Sequence, residues 1–131
     1  MSVPTREEEI RARLADIAGD DPGAAERALL VRLIRSFAGK TPGAVDRLGE
    51  LLRGGDRSHV RDQAHGLKGS ASNIGAGTLA SIFAEVEDAA RDGSVPDPDV
   101  TLGRIAAEQA LVLGLLDEMA QELDQPAPLS P

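Results

Sequence analysis

The chain is predicted to be all-α: an antiparallel four-helix bundle with additional N-terminal helices. Three observations carry that expectation. Apolar residues recur every three or four positions along most of the 131 residues, the spacing of one buried helix face. Aromatic residues are nearly absent, with Phe37 and Phe83 but no Trp or Tyr. A core of Leu, Ile, Val and Ala suits helix-on-helix packing better than a sandwich of sheets. No stretch shows the alternating pattern of a half-buried strand.

Ile10, Leu14 and Ile17 predict an amphipathic helix over 6–18, ended by Gly19-Asp20-Asp21-Pro22-Gly23. Asp21 is placed to cap the next helix, with Pro22 at its first position. That helix is expected to reach Ala38, to bury Leu29 or Leu30, Leu33, Ile34 and Phe37, and to stop at Gly39. Thr41-Pro42 repeats the cap-then-proline pattern and opens a helix over 41–53, with Val45, Leu48, Leu51 and Leu52 inward. Gly54-Gly55 ends it and Asp56 caps the next. Val60, Ala64, Leu67, Ala71 and Ile74 then give a clean seam for a helix over 57–74. Gly75 and Gly77 break it. A helix over 78–92 follows, with Leu79, Ile82, Phe83, Val86 and Ala90 inward. After a polar loop, a last helix over 99–124 has its seam at Leu102, Ile105, Gln109, Val112, Leu116, Met119 and Leu123. Gln109 is expected to be a buried polar residue that pins helix register. The helices over 41–53, 57–74, 78–92 and 99–124 form the core, and the two before them cover one end or side. Residues 1–124 make a single domain, and three prolines within 125–131 predict a disordered tail.

The net charge of -8 argues against phosphate-backbone binding, and the lack of aromatics against stacking on single-stranded nucleic acid. The charge is uneven. Residues 27–68 carry nine basic and four acidic side chains, net +5, and residues 85–131 carry two and eleven, net -9. This asymmetry fits solvated helix faces or a mildly positive face that meets an acidic partner. With no cysteine, disulfide and thiolate chemistry are excluded. The acidic N-terminus has no apolar signal core, and no apolar run is long enough to span a bilayer. The chain is expected to be cytoplasmic, monomeric and free-standing, without a membrane or nucleic-acid partner.

Residues 64–75 read Ala-His-Gly-Leu-Lys-Gly-Ser-Ala-Ser-Asn-Ile-Gly. His65 falls beside the buried seam, on a face with Arg61, Lys68, Gly69 and Ser72. An exposed, neutral imidazole is a nitrogen nucleophile near pH 7. A cation three residues on can compensate the charge of a phosphoryl group. The bare backbone at Gly69 leaves room for a docking protein. Ser70 and Asn73 are polar positions that can orient a side chain or cap the helix end.

The same twelve residues resemble the signature of histidine-containing phosphotransfer (HPt) domains of multistep two-component relays. That signature runs His, a variable residue, an aliphatic residue, Lys-Gly, two small residues and, shortly after, an aliphatic-Gly pair. The resemblance extends over about residues 8–120 and implies a four-helix bundle that presents His65 to solvent. It implies that His65 accepts the phosphoryl group, that Lys68 helps hold it and that Gly69 admits the partner. Arg57, Arg61 and Ser72, on the face built on 57–72, are the expected partner contacts. The implied partners are a response-regulator receiver domain and a hybrid histidine kinase. The domain is expected to need no cofactor of its own, since the receiver brings Mg²⁺ and the exchanging aspartate, and to be a stoichiometric carrier without turnover. The competing reading is a helical interaction module that binds a receiver or kinase without being phosphorylated. A weaker one is the phosphoryl-accepting domain of a histidine kinase.

One position departs from the family. Some relatives place Gln on the following helix, where this chain has Glu87. A carboxylate pointing inward would repel a phosphoryl group, so that role is not carried over. Glu85, Glu87 and Asp88 are expected to form a solvated acidic face, with Arg91 paired to Glu87 on the surface. His59, six residues before His65, is about 120° out of alignment with it on a helix, so the two are not expected to share a metal.

Overall fold

The computed structural model describes residues 2–125. Its elements are five α-helices: α1 (Arg6–Ala18), α2 (Ala24–Gly54), α3 (Arg57–Asn73), α4 (Gly77–Arg91) and α5 (Pro98–Asp124). No strand occurs among the described residues. Loops of two to six residues join α2 to α5, which makes successive helices antiparallel neighbours. The packing closes a ring, α2 on α3, α3 on α4, α4 on α5 and α5 on α2. The predicted tail lies, apart from Gln125, outside the described residues.

The main departure from expectation lies in α2. The two helices expected to meet at Gly39–Thr41 are one, 31 residues long, with Pro42 inside it. Leu30, Ile34, Phe37, Thr41, Val45, Leu48 and Leu52 are all buried, at steps of three or four without a phase break. A proline inside a helix removes one hydrogen bond and costs about 3 kcal/mol. Burial of a seam that stays in phase on both sides of Pro42 offsets that cost. Thr41 is therefore a buried core position, 3% exposed, and no cap. The N-cap of α2 is Gly23, not Asp21. Leu29 and Leu33 face solvent. Only α1 stands outside the four-helix ring, where two extra helices were expected.

The other boundaries follow their sequence signals. Thr5 and Glu8 form a reciprocal capping box on α1. The Asp56 and Asp97 side chains accept from the amides of His59 and Val100 at the starts of α3 and α5. Arg27 of α2 donates to the carbonyls of Glu122, Leu123 and Gln125, which caps the C-terminal end of α5. In α5 the buried polar positions are Thr101 and Glu108, the latter 6% exposed, and not Gln109, which is half-buried. The Gln109 Oε1 is shielded from solvent without a hydrogen-bond donor. Glu108 accepts a bidentate pair of hydrogen bonds from Arg6 at 2.6 and 2.7 Å.

α1 is strapped on by such contacts. Ile10 and Leu14 are buried in the core. Arg11 pairs with Glu122 of α5, and Arg13 donates to the Asn73 carbonyl at 2.9 Å and to its Oδ1 at 3.3 Å. The turn between α3 and α4 fits under α1 because of Gly75. Its φ is +85°, and a Cβ there would lie 2.7 Å from the Arg13 Cβ and 2.9 Å from the Glu9 carbonyl oxygen. Gly75→Ala is expected to destabilise the fold by at least about 1–2 kcal/mol, the cost of a left-handed conformation for a residue with a Cβ, with the α1 clash added. The shift of the urea unfolding midpoint measures it.

Candidate functional site

The site is built where α3 and α4 lie side by side. The two helices are joined by a three-residue turn, so positions at similar distances from Gly75 come face to face. His65 lies ten residues before that glycine and Glu87 twelve after it. α3 buries Val60, Ala64, Leu67 and Ala71, which leaves the next residue, His65, with a side chain 67% exposed. α4 buries Leu79, Ile82, Phe83, Val86 and Ala90 as expected, and Glu87 with them.

Glu87 corrects the sequence reading. It is not part of a solvated face: its side chain is 6% exposed and tucked beneath His65. Four residues after Phe83 and three before Ala90, it occupies the same buried stripe. Read in helical phase and not as a run of three acids, the sequence carried that signal. Its neighbours do face water, Glu85 pairing with Arg104 and Asp88 with Arg91. Arg91 also reaches Glu87, with Nη2 3.5 Å from Oε2, but at the rim of a buried carboxylate and not on an open surface.

The Glu87 carboxylate joins the motif's two chemical groups. Its Oε2 lies 2.7 Å from His65 Nδ1, and its Oε1 forms an ion pair with Lys68 Nζ at 2.6 Å. Lys68 is the main cause, and His65 a lesser one, of a Glu87 pKa below the usual carboxylate range, against the opposing effect of burial. An ionised carboxylate can only accept hydrogen bonds. In the neutral imidazole the proton therefore sits on Nδ1, and the lone pair of Nε2 is left on the exposed side of the ring. A helix-borne nucleophile thus has its tautomer fixed by a buried acid, and a cation stands one turn away.

The remaining predicted residues are spread along the same face. Gly69, one turn beyond His65, is exposed, and a Cβ there would meet nothing within 4 Å. Arg61, one turn before, is exposed and pairs with Asp62 at 3.5 Å. Ser72 is exposed two turns beyond. Arg57, at the start of α3, extends towards the Gly93 turn. Among the described residues no hydrogen bond or ion pair joins any of these three to His65. Asn73 holds α1 through Arg13, as above, and the His59 ring meets the capping Asp56. Among the described residues no three His, Asp or Glu side chains converge as a metal site, and no helix is long and apolar enough to cross a membrane.

Residues 32–126 match the Hpt domain family. The chain is also similar to the crystal structure of histidine-containing phosphotransfer protein B (HptB) from Pseudomonas aeruginosa PAO1. The sequences are 26% identical, the TM-score is 0.73, and the match covers 92% of this chain and 98% of that one. No curated protein matches.

The depressed Glu87 pKa sets a sign for acid stability. The carboxylate contributes stability that is fully present above the pKa of an unfolded Glu, about 4.3, and is lost as pH falls through the lower folded value. In urea unfolding at pH 3–5, the stability difference between wild type and Glu87→Gln is expected to shift in favour of Gln as pH falls.

Proposed function

Since the chain belongs to the Hpt domain family, we propose that it is a phosphorelay carrier that takes a phosphoryl group onto His65 from a receiver-domain aspartate and gives it to another. The observation that carries this reading is the free Nε2 of His65 on an open helix face, with Nδ1 held from below by Glu87. The HptB likeness and the motif support it.

In this reading Nε2 attacks the phosphorus of an aspartyl phosphate in line with the bond to the carboxyl oxygen. The N–P bond forms as that P–O bond breaks, and the aspartate leaves as a carboxylate. The ring keeps its Nδ1 proton and takes up positive charge, which the Glu87 carboxylate stabilises much as the acid of a Ser-His-Asp triad stabilises its imidazolium. Lys68 sits one turn away, where its ammonium can turn to the phosphoryl oxygens. Mg²⁺ and the exchanging aspartate belong to the receiver, and a hybrid histidine kinase is the expected source of phosphoryl groups upstream. Arg57, Arg61 and Ser72 line the docking face, and Gly69 lets the receiver close on it. The chain turns over nothing by itself.

Two substitutions test the reading. His65→Gln is expected to abolish transfer from a radiolabelled phospho-receiver while leaving the circular dichroism spectrum and unfolding midpoint intact. Label retained in that variant, or a lost fold, would overturn the assignment. Gly69→Leu is expected to lower transfer at least about tenfold by obstructing docking. The same change should leave the fold as stable or up to about 1 kcal/mol more so, since a glycine is replaced in an open helical position.

A further inference from the structure

We infer that Glu87 keeps the imidazole of phosphorylated His65 protonated at Nδ1, and so keeps the phosphoryl group labile at neutral and alkaline pH. The inference rests on the carrier reading above and adds a positioning residue that controls how readily the carrier discharges.

The argument begins with the leaving group. When the N–P bond breaks, its electron pair returns to Nε2. If Nδ1 still bears its proton, neutral imidazole departs. If that proton has been lost, an imidazolide anion must depart, which is far less favourable. On discharge the phosphoryl group bonds to a partner's carboxylate oxygen. It can instead bond to water, and the water's two protons then leave on dihydrogen phosphate. Either way the ring keeps the Nδ1 proton and departs as neutral imidazole.

Glu87 is built to hold that proton. Its Oε2 lies 2.7 Å from Nδ1, and its side chain is only 6% exposed beneath the open ring. An opposite charge at hydrogen-bond distance favours the protonated form of a ring over the neutral one. Its pKa lies below the usual range, which keeps Glu87 charged throughout.

Two cations of the site, Lys68 and Arg91, are themselves engaged by Glu87 at 2.6 and 3.5 Å, and Arg91 also by Asp88 at 3.1 Å. Before phosphorylation, these two positive side chains are thus matched by two negative ones. Among the described residues no ion pair from α1, α2 or α5 reaches Glu87. A Gln at this position would accept the same hydrogen bond, but it would leave the ring without an opposite charge and Lys68 without its ion pair.

The test loads wild type and Glu87→Gln with potassium phosphoramidate, removes the excess, and follows the loss of phosphohistidine by ³¹P NMR between pH 6 and 9. The wild-type rate is expected to stay nearly constant into the alkaline range. The variant's rate should fall about tenfold per pH unit above its own midpoint, leaving it at least about tenfold slower than wild type at pH 9. ¹⁵N NMR of the phosphorylated wild type supplies a check that needs no variant, with Nδ1 expected to remain protonated above pH 8. Matching pH profiles, or an Nδ1 already deprotonated at pH 7 in the wild type, would overturn the inference and leave the carrier reading standing. Failure of His65 to take label from both phosphoramidate and a phospho-receiver would overturn both.

Discussion

An ionised carboxylate held between two helices must be matched by positive charge, and that constraint organises this molecule's working face. Desolvating such a group costs on the order of several kcal/mol unless cations and donors surround it. Around Glu87 the matching groups are His65, Lys68 and Arg91. The demand for compensation therefore fixes where the imidazole and the ammonium lie and which ring nitrogen carries the proton. The packing of α3 on α4 gives it a rigid base, because Ala64, Leu67, Val86 and Ala90 are all buried along the same contact.

The division of labour among cations follows from their shapes. Of the 14 basic residues only Lys40 and Lys68 are lysines. Arginines make the long-range straps, Arg6 to Glu108, Arg13 to Asn73 and Arg27 to the end of α5, where a planar fork can satisfy two or three acceptors at once. The site takes the compact ammonium of Lys68, which can turn between one anion and another without breaking a bidentate geometry.

Much of this was legible in the sequence. Every seam residue read for α3 and α4 is buried, and the His65, Lys68 and Gly69 register places them on one face. What escaped reading was whatever depended on a contact between distant segments. Pro42 and its neighbouring glycines carry the local signals of a helix break, and only the unbroken phase of the apolar seam, which rewards burial across the bundle, overrides them. Glu87 read as a surface acid, and Glu108 drew no reading, because their partners, Lys68 and Arg6, lie 19 and 102 residues away. Burial of a charge is set by what meets it, and a single helix does not disclose its partner.

The cap that Arg27 places on α5 also determines where that helix ends relative to the imidazole. The Gln63–Ala44 hydrogen bond marks the level of α2 that lies beside His65. Arg27 stands seventeen residues from Ala44 along the same helix, roughly 26 Å at the rise of an α-helix. Because the guanidinium holds the backbone of Glu122, Leu123 and Gln125 at that remote end, the C-terminal turn of α5 is pinned far along the bundle from the imidazole, and the exposed face around His65 is left clear of it.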